Sequence, residues 1–278
     1  MCYAQAVTDT PAPASSEATP PNPPQRSPPR ANPLVGPAIL LVWIGLGALI
    51  WRAPNGLAVF AFVMVGWILS VMVHEFAHAA TAWVGGDRTV AEKGYLSFDP
   101  RRYGDLGVSL VIPLLALAMG GVGFPGGAVY VRNDLIRGPL WRAATALAGP
   151  AATLLLLLVL SFGLSFWLGW GIGSRGGAML FAALTVLAFL QAMGLILNLL
   201  PIPGLDGFGA IRPFLPAALN PHLRKVEGLV MVGLLLVIFY VPGASAALFR
   251  AAASLGAALG LDLEALQAGW QAFHFWQR

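Results

Sequence analysis

Six apolar runs divide this chain, at roughly 34–51, 57–84, 107–124, 140–171, 177–200 and 226–249. A helix crossing a bilayer needs about 20 mostly apolar residues at a rise of 1.5 Å each. Five of the runs meet that length and predict membrane-spanning helices. The run at 107–124 is weaker, because Pro113 interrupts it and it ends in the stretch Met119-Gly-Gly-Val-Gly-Phe-Pro-Gly-Gly127. Non-helical backbone is tolerated at membrane depth only where it lines protein or water. A re-entrant segment is therefore expected at 107–124.

Composition points the same way. Of 278 residues, 58% are hydrophobic and 10% charged, against about 25% charged in a soluble domain. So few charges cannot cover a water-facing surface, and lipid is the solvent for most of the chain. Collagen-like and disulfide-built classes are excluded, the latter because Cys2 is the only cysteine. The net charge of +4 comes from 16 basic residues spread over the loops. They form no stripe, which excludes a nucleic-acid partner.

Residues 1–33 carry nine prolines and no apolar periodicity, and predict a disordered, polyproline-leaning tail. Residues 34–250 form the transmembrane unit. The segment 251–278 is rich in Ala and Leu and ends in Trp270, Phe273, Phe275 and Trp276, as an amphipathic or interfacial helix would. Gly169, Gly171 and Gly173 mark a tight turn between two spans. The predicted class is an all-α polytopic membrane protein of five to six transmembrane helices plus the re-entrant segment.

Ionisable groups inside spans are costly and are functional candidates by default. His74-Glu75-Phe76-Ala77-His78 lies within the second run. On a helix, the two histidines fall on one face about 6 Å apart along the axis. Their neutral nitrogens can converge on one Zn2+, while Glu75, rotated aside, is free to serve as a base. A catalytic zinc takes three protein ligands and keeps one open position. His222 and His274 lie outside the clear spans, whereas Asp206 follows the fifth run in Asn198-Leu-Leu-Pro-Ile-Pro-Gly-Leu-Asp-Gly207. There Pro201 and Pro203 end the helix, and Gly204 and Gly207 let the chain turn closely around the carboxylate.

Together the two motifs resemble the site-2 protease family of intramembrane zinc metallopeptidases. That family pairs H-E-x-x-H in one span with an N-x-x-P-x-P-x-x-D-G-like motif in a later one. The resemblance covers roughly residues 57–212 and includes Leu147-Ala-Gly-Pro-Ala-Ala-Thr153, where Thr153 stands at a position that is Asn in many members. It implies His74, His78 and Asp206 as ligands of one Zn2+, Glu75 as catalytic base, and Asn198 as a group binding substrate backbone or the developing oxyanion. It also implies a transmembrane protein substrate, in which helix-breaking residues favour cutting. The chain has no room for an inserted PDZ domain and is similar to the small prokaryotic members.

The ligands can meet only if an even number of crossings separates them. Making 107–124 re-entrant satisfies this, and places Arg52, Arg175, Arg250 and Arg278 outside with the other 12 of 16 basic residues on the cytoplasmic side. That asymmetry is the one expected of a protein of the cell membrane with its site towards the cytoplasm. Arg132, Arg137 and Arg142 read as topology determinants ahead of substrate clamps. A carrier of metal ions or protons, or a non-cleaving protein that binds client helices, would also place His, Glu and Asp in a membrane. The absence of an internal repeat and the presence of Glu75 favour hydrolysis.

Overall fold

A computed structural model describes residues 32–103, 112–120 and 129–277. The proline-rich tail, apart from its last two residues, and both flanks of the 107–124 run lie outside the described residues. Among the described residues the chain is helical with no strand. Helices α1 (Val35–Arg52), α2 (Gly56–Gly85), α5 (Gly138–Trp170) and α6 (Arg175–Leu199) are long and apolar enough to cross a membrane. Between them come α3 (Thr89–Glu92) and α4 (Ile112–Gly120). After them come α7 (Asp206–Ile211), α8 (Asn220–Tyr240), α9 (Ala244–Ala258) and α10 (Leu263–Phe273).

The run at 226–249 departs from the single span expected of it. It is two helices, α8 and α9, bent by 88°. The bend falls at Pro242, which cannot donate a helical hydrogen bond, and at Gly243, whose φ of +85° an L side chain would resist.

α6 is the centre of the bundle, with 83% of its apolar window buried. α1, α2, α5, α9 and α10 all pack on it. Small residues permit this crowding, because association in lipid depends on close packing of helix surfaces. A Cβ on Gly176 would fall on the Trp51 carbonyl where α1 ends, and one on Gly269 would fall on the Ala182 carbonyl. α10 therefore seats its backbone directly on α6, with Phe273 fully buried and stacked on Phe60 of α2. The C-terminal aromatics thus serve largely as packing, with Trp270 edge-on to Phe189 and Phe249.

Side chains cap the long helices where the chain turns. Asn55 accepts from the Ala58 N–H at 2.9 Å, and Ser174 from Gly177 at 3.0 Å. At the other end of α2, Asp87 is wholly buried; one oxygen accepts from the Thr89 N–H and hydroxyl, the other from the Arg132 N–H at 2.7 Å. The Arg137 guanidinium donates to the Val84 and Gly85 carbonyls. These bonds hold residues 129–137 against the end of α2. The Arg137 side chain is thus structural as well as charged, whereas Arg132 takes part through its main-chain N–H.

The close approach at Gly269 can be tested. Gly269→Ala should lower the melting temperature of purified protein by several degrees, because a backbone carbonyl cannot step aside. Gly163→Ala, on the open face of α5 with nothing within 4 Å, should leave it unchanged or slightly raised.

Candidate metal centre

The H-E-x-x-H stretch is uninterrupted helix in α2, so His74 and His78 stand one turn apart with their rings edge to face at 4.7 Å. Asp206 opens α7, reached by an extended turn through Pro201 and Pro203 at the end of α6. Gly207 packs against the Leu199 carbonyl so tightly that a Cβ would overlap it. That contact folds the turn back and delivers the carboxylate to the imidazoles. His74 Nε2 lies 3.0 Å from Asp206 Oδ2, His78 Nε2 lies 3.4 Å from Oδ1, and the two Nε2 atoms are 3.1 Å apart.

These separations fit a tetrahedral zinc. Bonds of about 2.0–2.1 Å at tetrahedral angles put ligand atoms about 3.3 Å apart. The chemistry of the donors agrees. His78 Nδ1–H donates to the Thr145 carbonyl at 2.7 Å, which fixes the tautomer and leaves Nε2 as a bare lone pair. His74 Nδ1 pairs with the Thr153 hydroxyl at 2.9 Å. The group therefore offers two imidazole nitrogens and one carboxylate oxygen, and only a cation or a shared proton can sit between nitrogens so close.

Glu75 is 4% exposed and stands outside the group of three candidate ligands, its Oε2 accepting from the Val129 N–H at 3.1 Å. It lines the same cavity of about 890 Å³ as His74, His78, Asn198 and Asp206. The structure thus brings every candidate residue of the two motifs to one cavity. His222 is exposed near the start of α8, and His274 is bonded to the Trp270 carbonyl. Neither approaches the centre.

Three residues of α5 that carry the site have no charged or metal-binding chemistry of their own. Thr145, Gly149 and Thr153 recur every fourth position and so share one helix face. The outer two orient the imidazoles. A Cβ on Gly149 would overlap Nε2 of both His74 and His78, so only glycine lets α5 lie against the pair. The Leu147–Thr153 stretch had marked Gly149 and Thr153 without their roles, and for Thr145 the four-residue spacing was the one signal, too common in membrane helices to stand out. Pro150 adds a freed carbonyl at Ala146, beside the cavity.

Two substitutions isolate this support. Gly149→Ala should leave a folded protein that retains much less than one zinc per chain after dialysis, measured by elemental analysis beside Gly163→Ala. Thr153→Val should keep the fold and weaken zinc about 10- to 100-fold in a chelator competition, the usual effect of losing such a partner.

No family model and no solved structure matches the chain. Curated relatives do. "Putative zinc metalloprotease Rip2" of Mycobacterium tuberculosis is 41% identical over 226 residues, covering 78% of this chain and 83% of the relative. The protein of the same name in Mycolicibacterium smegmatis is 40% identical over 194 residues, 67% of this chain and 71% of its own. "Putative zinc metalloprotease YwhC" of Bacillus subtilis is 26% identical over 195 residues, 67% of this chain and 83% of its own. Two converged motifs in one cavity, and identity of this extent, establish that the chain belongs to the site-2 protease family of intramembrane zinc metallopeptidases.

Proposed function

We propose that His74, His78 and Asp206 hold one Zn2+ per chain, that Glu75 is the catalytic base and acid, and that the bonds cut lie within or next to transmembrane segments of other membrane proteins. Membership of the family makes the chain a zinc-dependent intramembrane peptidase. The assignment of roles rests on one observation. Glu75, nearly inaccessible, sits one residue from His74 in the cavity where three ligand atoms lie within 4.8 Å of one another.

Zinc at such a site acts as a Lewis acid and lowers the pKa of water towards 7. Glu75 takes a proton from the attacking water as its oxygen bonds to the scissile carbonyl carbon. It returns that proton to the amide nitrogen as the C–N bond breaks. The Val129 N–H holds Oε2, which leaves Oε1 for this transfer. Asn198, 6% exposed on α6, supplies an amide to the substrate backbone or to the carbonyl oxygen as charge develops there.

The 107–124 segment is read as re-entrant, supported by Pro113 within it and by the common depth that the two motifs require. The protein is multi-pass, and its charge asymmetry supports the cell membrane with the site towards the cytoplasm. Arg52 and Arg175 lie together at the far end of the bundle, while Arg142 and Arg212 line the cavity.

A reporter whose single span carries a central Gly-Pro, incubated with purified protein in bicelles, tests the reading. Wild type should cut it. Glu75→Gln should keep about one zinc per chain and lose roughly 10²- to 10⁴-fold in rate, the range of a lost general base. Undiminished cutting by Glu75→Gln would remove Glu75 from the mechanism. Absence of zinc from folded wild type would remove the metal centre.

A further inference from the structure

Gln191 lies on α6 seven residues before Asn198. Seven residues turn a helix through nearly two full revolutions, so the two amides share one face about 10 Å apart along the axis. Gly194 stands between them, and a Cβ there would press on the Trp67 ring at 3.2 Å. Gln191, Gly194, Trp67 and Asn198 all line the cavity of the metal centre. The cavity therefore continues from the ligands towards the middle of the membrane, and Gln191 marks its inner part.

Gln191 is 2% exposed, and its Nε2 has no hydrogen-bond partner among the described residues. Two other buried polar groups, both hydroxyls, behave differently. The hydroxyls of Ser70 and Thr185 return to carbonyls one turn back on their own helices, each at 2.9 Å. A primary amide left unpaired at this depth is destabilising, and a leucine of similar volume would not be. Polar groups kept inside spans despite that penalty face a pathway or a ligand.

The chemistry of the cavity names the ligand. A substrate helix has closed its own backbone hydrogen bonds and must unwind before a carbonyl can be attacked. Each unwound residue then presents an N–H and a C=O where no water can pair with them. A glutamine amide carries both a donor and an acceptor, the complement of one peptide group. An extended chain advances about 3.3 Å per residue, so 10 Å corresponds to three residues. We infer that Gln191 is a substrate-binding residue that hydrogen-bonds the unwound substrate backbone about three residues from the scissile bond, on the side towards the bilayer centre. This rests on the peptidase reading above.

An amide-to-ester scan tests it. A synthetic transmembrane peptide with a central Gly-Pro is made with single backbone esters at each of four positions on either side of the cut, and kcat/KM is measured in bicelles. With wild type, the ester about three residues out, which removes the peptide N–H and weakens the carbonyl to which Nε2 donates, should lower kcat/KM about fivefold, the size of one net hydrogen bond. Gln191→Met should lose about the same on the all-amide peptide, mainly through KM, with zinc content and melting temperature kept. That variant should lose nothing more from the ester. Losses that simply multiply at every position, or a wild-type scan without a loss near the third residue, would overturn the assignment while leaving the peptidase intact. If wild type performs no Glu75-dependent cleavage of the all-amide peptide, the peptidase reading fails and this inference falls with it.

Discussion

The imidazoles of α2 and the carboxylate of α7 share one cavity because α5 can touch the histidines without a side chain in the way. At Gly149 the α5 backbone occupies the space beside both Nε2 atoms. One turn on either side, the Thr145 carbonyl and the Thr153 hydroxyl take up the two Nδ1 atoms. In water an imidazole could satisfy its second nitrogen with solvent. At membrane depth the partner must come from the protein, and its identity decides which nitrogen is left as a lone pair. Removing the close approach of α5 would separate the histidines from these partners as well as from Asp206.

Asp206 depends on a different device. A helix that simply ended at Leu199 would carry the chain out towards the headgroups. The Pro201 and Pro203 break, Gly204 at φ +100°, and the packing of Gly207 on the Leu199 carbonyl turn it back instead. The freed backbone faces protein and the cavity, where unpaired groups are tolerated. α6 can deliver this turn reliably because it is held on nearly every side. Its small residues accept α1 and α10 at backbone contact, in a solvent that offers no hydrophobic reward for bringing helices together.

Much of the site was legible in the sequence. His74, Glu75 and His78 stand out because charged or basic groups are conspicuous in an apolar run, and helical spacing settles their common face. Asp206 was legible only beside that motif, since prolines, glycines and a carboxylate at a span end by themselves read as a helix cap or a loop. The roles of the supporting residues were not legible. Gly149 and Thr153 were marked only as part of the Leu147–Thr153 stretch and Thr145 not at all, and nothing local says that an imidazole lies opposite. Arg137 was readable as a charge, yet its capping of α2 depends on a loop returning to a helix some 50 residues away.

The same division separates the spans from their arrangement. Length and apolarity by themselves determined four of the five to six expected crossing helices, the all-α class and the bilayer as solvent, because a single span in lipid must close its backbone hydrogen bonds within itself. They did not determine that 226–249 bends by 88° into two helices, since one Pro-Gly pair reads equally as a kink or a break. Nor did they determine that the aromatic C-terminus packs into the bundle, because an aromatic belt and an aromatic core have the same composition. Those outcomes, like the orphaned amide of Gln191, were decided by which helix surfaces can approach closely. That is a property of pairs of surfaces, and a single chain position does not carry it.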